Sequence, residues 1–350
     1  MALSHISQLL HPLVHEEHRS LPDLIQHFHV IEAREESDTV VPLKDLRMEP
    51  TGEMLVPDGR RLEFTDWSRR QFSQLLGVRW DRWFSPADGE ERAEEVNRRL
   101  CRRESSIRLR TTLPERLAPG APSRTLRAMV TPGYSPIADS FVAEALYTSL
   151  ARIEPDLRIH RVDATDRTTS YVVLIGHAFR GGDSAEVGDV WGGLVVRNSG
   201  VGFASLFASL SLIRLLCKNG MTAPLDDAVF IKRAHRGLAH GKLVEAFTSR
   251  LSALPSRYRI AGGVLRRSTT VAVRDVESTV HELLEDHRIP LRLTAPVLDA
   301  WRREPSPTAF GVSQALTSAA QRQSPELRFE LERAAGTYLA RVTPHASLVH

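Results

Sequence analysis

The stretch from Gly188 to Lys242 constrains this chain most. It reads GDVWGGLVVRNSGVGFASLFASLSLIRLLCKNGM, then a spacer, then KRAHRGLAHGK. It holds the longest apolar run and passes from it straight into a basic flank. Between Arg197 and Arg274 there are 13 Lys and Arg against Asp226, Asp227 and Glu245, a net of +10 in a chain whose total is +3. A core segment that continues into concentrated positive charge can act as a scaffold presenting that charge to a polyanion. The competing reading is a solvated basic face with no ligand.

Within the run, Ser205, Ser209 and Ser211 alternate with Leu206, Leu210 and Leu212, the period of a strand. From Leu212 to Cys217 the pattern fits strand or helix, and Asn219-Gly220 ends it. Ser209, Ser211 and Arg214 interrupt the run, which is too short to span a bilayer. Two cysteines, Cys101 and Cys217, exclude a disulfide framework and a thiolate-rich zinc site. The beginning, MALSHISQLLHPLVHEEH, has neither a basic n-region nor an uninterrupted apolar core. No secretory signal is expected, and the expected location is cytoplasmic.

Residues 1–50 carry nine acids against Arg19, Arg34, Lys44 and Arg47, a net of −5, together with six histidines. SLPDLIQHFHVIE reads as a short helix, capped at Ser20 with Pro22 in its first turn, followed by a strand. That strand would put His27 and His29 on one face, but no third ligand follows and no metal is expected. The acidic segment reads either as a shield drawn over the basic region or as a packed part of the core. LRMEPTGEMLVPDGRRLEFT reads as a hairpin turning at Pro57-Asp58-Gly59.

Helices follow at TDWSRRQFSQLLGV, capped near Thr65 and ended by Gly77, and at ADGEERAEEVNRRLCRRE, whose acids lead and whose arginines trail as the helix dipole favours. Trp80 and Trp83 read as core contacts before stacking platforms. IRLRTTL and TLRAMVT read as strands, with Arg108 and Arg110 on one face of the first and Arg127 on the second. GYSPIADSFVAEALYTSLARI gives a turn and an amphipathic helix, and LRIHRVDATDRTTSYVVLIGH a hairpin. Beyond Lys242 the segments LVEAFTSRLSAL, VESTVHELLEDHRI, TAPVLDAWRRE, TAFGVSQALTSAAQR and PELRFELERAAGTYLA read as helices.

Few constellations carry chemistry. Cys217 sits in an apolar run, where a thiol behaves as a small hydrophobe, and no nucleophile signature surrounds it. GDVWGG and NSGVG lack the Lys-Ser or Lys-Thr of a phosphate loop and read as bulges and turns. Asn198 and Asn219 read as turn formers. His235 and His240 miss the spacing of a helical metal pair, and the cations around them oppose a bound metal. The same cations welcome phosphate, so Lys232, Arg233, His235, Arg236 and Lys242 form the first candidate contact segment. Arg197, Arg214 and Lys218 flank the apolar run. Strand pairing would bring them beside Arg108, Arg110 and Arg127 in one basic groove.

Several stretches together resemble a family of phage- and plasmid-borne proteins, the domain of unknown function numbered 932. They are RRQFSQLLGV, EEVNRRL, IRLRTT and LRAMVTPGYSPIADSFVAEAL, then VVRNSGVGFASL, LIRLLCKNGM and the histidine of KRAHRG, and finally FGVSQALTSAAQR with LERAAGTYLA. They cover most of residues 65–340 in the family's order. The chain departs from the pattern where Thr131-Pro132-Gly133 replaces a serine-aspartate-basic turn, and where Gly200 follows Asn198-Ser199 in place of an acid. The resemblance implies mobile-element DNA biology and a kinship with single-strand annealing proteins.

The expected fold is α+β: an antiparallel sheet flanked by helices, with a helical C-terminal region. The expected division is an acidic segment over residues 1–60, a core over 61–290 and a helical region over 291–350. The expected function is binding of single-stranded DNA by its phosphates in a basic groove, within a homo-oligomer, with little base stacking because aromatics are only 6% of residues. No catalytic residue, metal, cofactor or membrane contact is expected. The alternatives are a metal-dependent enzyme acting on nucleic acid or nucleotides, and a protein-interaction module of a phage or plasmid system.

Overall fold

Ser20 closes a capping box at the start of the first described helix. Its hydroxyl accepts from the Asp23 amide at 3.3 Å, and the Asp23 carboxylate accepts from the Ser20 amide at 3.1 Å. The computed structural model describes residues 20–78, 89–113, 124–151, 157–179, 190–214, 219–222, 229–233, 235, 239–251 and 253–343. The cap starts helix α1, Leu21–Glu32, which buries Leu21, Leu24 and Phe28 at helical spacing. His27 and His29 therefore lie on a helix and not on the expected strand, because the apolar spacing persists through the whole segment.

Two sheets follow. The first takes β1 (Thr39–Pro42), β2 (Arg47–Met48), β3 (Met54–Leu55), β4 (Arg61–Phe64), β5 (Ser106–Thr112) and β6 (Arg124–Val130) in the order β1-β5-β6-β4-β3-β2. It is mixed, since β4 runs parallel to β6 while the other pairs are antiparallel. The tight turn before β4 uses Gly59 at φ 87°, a region that a side chain would strain. Helices α2 (Asp66–Leu76) and α3 (Gly89–Leu100) cover this sheet, with Phe72, Leu76, Val96 and Leu100 packed over Leu62 and Met54. Residues 20–60 of the acidic N-terminal segment are thus part of the fold. A division at residue 60 runs through the first sheet.

The second sheet is antiparallel: β7 (Arg158–Ala164), β8 (Thr169–Phe179), β9 (Val190–Asn198), β10 (Leu206–Arg214) and β11 (Asn219–Thr222), in the order β11-β10-β9-β8-β7. β12 (Val229–Arg233) pairs with the first half of β10, beside β11 on the same edge. The ambiguous apolar run is strand as far as Arg214, and residues 215–218 with Cys217 lie outside the described residues. β9 is buried almost throughout because both faces of the sheet are covered. On one side stand α4 (Asp139–Leu150), α5 (His240–Leu251) and α6 (Leu254–Ser268). On the other, Phe329 packs on Val172, Val195 and Ile213.

Helices α7 (Val276–Asp286), α8 (Thr294–Arg303), α9 (Ala309–Ala320) and α10 (Pro325–Val342) complete the C-terminal region and share the main core. α10 is tied to β7 by paired bonds of Arg161 to Glu332 at 2.7 and 2.8 Å and by Arg328 to Asp163 at 2.9 Å. The architecture is α+β, as the sequence implies. Among the described residues, no helix is long and apolar enough to cross a membrane.

The two sheets meet through the β9–β10 turn. Trp67 and Gln71 of α2 donate to the Val201 carbonyl at 2.9 and 3.3 Å, and the Tyr134 hydroxyl donates to Ser199 O at 2.9 Å. Gly202 sits at φ 76°, and its amide donates back to the Tyr134 hydroxyl at 3.1 Å. The NSGVG stretch is a tight turn, and its function is to dock one sheet on the other.

Candidate functional site

The arginines of the first sheet converge, and so do acids from the α1–β1 connection. That connection runs along β5, with the Glu36 amide donating to Thr111 O at 3.1 Å and the Leu113 amide donating to Arg34 O at 3.0 Å. It sets Glu35, Glu36 and Asp38 against the guanidinium groups. Arg110 donates to Asp38 at 3.1 Å, to Glu35 at 2.7 Å, and to the Gly200 carbonyl. Arg127 donates to the other oxygen of Glu35. It is the extra residue on β6 at a bulge opposite Arg110 and Thr111, which places it on the same side as Arg110. Arg108 donates to Pro132 O at 3.1 and 2.6 Å and approaches Asp38 at 3.5 Å, while Arg124 donates to Glu36 at 2.7 Å.

Arg197 is buried. Its guanidinium lies 4.4 Å from the Phe329 ring centre and 3.3 Å from Glu330. Arg167 and Arg197 bracket Phe203 at 5.6 and 5.9 Å. Of the expected groove, Arg110, Arg127 and Arg197 gather near the β9–β10 turn, with Arg108 beside Arg110 on β5. They do not form an open phosphate groove, because carboxylates pair with Arg108, Arg110, Arg127 and Arg197.

His235 is also withdrawn from solvent. It is 6% exposed, stacked on Tyr134 at 5.3 Å, and its Nδ1 accepts from the Ile137 amide at 3.2 Å. Burial lowers its pKa to about 4, with the Ala204 carbonyl opposing and Arg110 assisting. It is a neutral structural group, so its expected role as a phosphate donor is corrected. Burial raises the Tyr134 hydroxyl to about 12.

The remaining expected contacts divide. Lys232 and Lys242 are exposed. Of Arg214 and Arg233 the backbone alone is described, at the ends of β10 and β12, and Lys218 and Arg236 lie outside the described residues. Sequence reasoning missed a further set. α6 carries four arginines and no acid, and it exposes Arg259 and Arg267. Arg274 is exposed just beyond it.

A second feature lies between α1, α4 and the arginine cluster: a cavity of about 240 Å³. Its polar wall holds Glu32, Glu35, Arg110, Arg127, Asp139 and Arg167, with Thr165, Thr168 and Thr169. Asp139 opens α4 where no side chain caps the helix. Its carboxylate accepts from Asn198 at 2.8 Å and from Thr169. Burial pushes Asp139 up to about 6, against the Asn198 and Thr169 bonds; Glu32 adds to the rise and Arg127 opposes it. The residue keeps some accessible area as part of the cavity wall. Glu32 accepts from the Ser140 amide at 2.9 Å and from its hydroxyl, and so supplies the missing cap.

Fold and site define a two-sheet α+β protein with an internally neutralised arginine cluster, a charged cavity and an acid-poor helical face. Comparison with known protein families, curated proteins and solved structures gave no match. Among the described residues, no group of three His, Cys, Asp or Glu is placed to hold a metal ion.

Proposed function

We propose that this protein binds single-stranded nucleic acid, DNA foremost, through phosphate contacts made by the exposed basic residues of β12, α5 and α6. One observation carries the reading: Lys232, Lys242, Arg259, Arg267 and Arg274 are exposed, and none has an ion pair among the described residues. Residues 229–274 hold ten Lys and Arg against Glu245 alone. The contact set therefore moves away from Arg108, Arg110, Arg127 and Arg197, whose charge is already balanced within the fold.

Affinity would come from counterion release, with little base readout, since these arginine and lysine heads supply charge and few aromatic platforms accompany them. The test is fluorescence anisotropy of labelled single-stranded DNA, duplex DNA and RNA over a salt series. Steeply salt-dependent binding, tightest for single strands, supports the proposal. Absence of binding at low salt overturns it.

A further inference from the structure

We propose that the cavity between α1, α4, β6 and the 165–169 turn binds a small hydroxylated oxyanion, with Arg127 and Arg167 holding the anionic group and Asp139 and the turn threonines holding its hydroxyls. This inference is independent of those exposed basic residues and of the nucleic-acid reading. Its first support is the state of the charged groups. Glu32 is engaged by Ser140, and Glu35 is shared between Arg110 and Arg127. Arg167 approaches Asp166 at 3.8 Å without a hydrogen bond.

Its second support is the make-up of the wall: Arg127 and Arg167 line the same cavity as Asp139, Thr165, Thr168 and Thr169, so cationic and hydroxyl-binding groups surround one space. The volume, below the roughly 300 Å³ of sites for drug-sized molecules, suits a small metabolite. Three guanidinium groups oppose a metal cation, and the charged lining opposes an apolar ligand.

Asp139 sets the response to pH. Its carboxyl is faced by Glu32 from α1, Arg127 from β6, Thr169 and Tyr171 from β8 and Asn198 from β9. With Asp139 protonated, the wall holds three guanidinium groups against two carboxylates. A bound anion favours that form, so binding takes up a proton and weakens as pH rises through about 6.

Calorimetric titration of the full chain with glycerate, glycerol 3-phosphate and uncharged glycerol tests the proposal. The first two separate a carboxylate source from a phosphate source. Saturable binding of at least one anion, with none for glycerol, is the expected result. Arg167→Gln, on the partly exposed turn, should weaken that binding by about tenfold or more. Asp139→Asn should bind glycerate with the same affinity at about pH 5 and about pH 8, whereas the wild type weakens over that range. Absence of saturable binding by both anions, or equal binding of glycerol, overturns the proposal. The wild-type titrations decide it even if a variant fails to fold, and ligand-induced shifts in melting temperature give a second readout.

Discussion

Asn198 donates to the Asp139 carboxylate at 2.8 Å and, from the same nitrogen, to the Ile137 carbonyl at 2.7 Å. One side chain at the end of β9 thereby fixes the entry into α4. His235 accepts the Ile137 amide from the other direction, so this short stretch is held on both its donor and its acceptor. The pair joins the second sheet to the wall of the cavity, and its energetics follow from burial.

Asp139 and His235 bend the stability profile in opposite directions. The folded chain holds the Asp139 proton up to about pH 6 against an ordinary 3.8, so this group's contribution is lost as pH rises through that window. The folded chain keeps His235 neutral down to about 4 against an ordinary 6.5, so its contribution is lost as pH falls through that window. Relative to wild type, Asp139→Asn should gain stability with rising pH, by about 1–3 kcal/mol at neutrality. His235→Gln should show the reverse trend. Urea unfolding across the pH range checks both, and parallel profiles for all three proteins would contradict the assignment.

Arg110→Ala removes the partner of two carboxylates and of the Gly200 carbonyl at once. Glu35 keeps Arg127 and Asp38 keeps Arg108, so the cost is that of lost charged hydrogen bonds and an unmet carbonyl, about 1–3 kcal/mol. Chemical denaturation should show a loss of that order, while a loss below about 1 kcal/mol would mean that the cluster is solvated.

A third expectation rests on close packing. A Cβ at Gly192 would lie 2.6 Å from the ring of Tyr258, whose hydroxyl donates to Gly193 O at 2.8 Å. The ring is buried between α6 and the sheet. Gly192→Ala should cost about 1–3 kcal/mol in unfolding measurements, and a neutral result would show that α6 can shift outward.

Much of the fold is legible in the sequence where periodicity is strong. β5, β6 and the β7–β8 hairpin follow from alternation, and α2 follows from Thr65, its apolar spacing and Gly77 at φ 70°. α6 is hidden, because the Gly262-Gly263 pair in its middle depresses local helix propensity. Tertiary packing of Leu254, Tyr258, Ala261 and Leu265 overrides that cost. The arginine strands are legible, but their neutralisation is not. Arg110 meets Asp38 and Glu35 across 72 and 75 positions of chain, and no local pattern encodes such pairs. Asp139 has a similar disguise, since an acid at a helix start is ordinary and only the surrounding burial makes it unusual.

The salt dependence of binding to a single-stranded DNA oligonucleotide tests the central claim most directly. It should be measured for the wild type and for the combined variant Lys232→Ala, Lys242→Ala, Arg259→Ala and Arg267→Ala. All four side chains are exposed, so the variant should fold. Each phosphate contact on a single strand contributes about 0.7 to the slope of log affinity against log salt. The account expects the variant to bind more weakly, with a slope shallower by about three. An unchanged affinity and slope in the folded variant would contradict it.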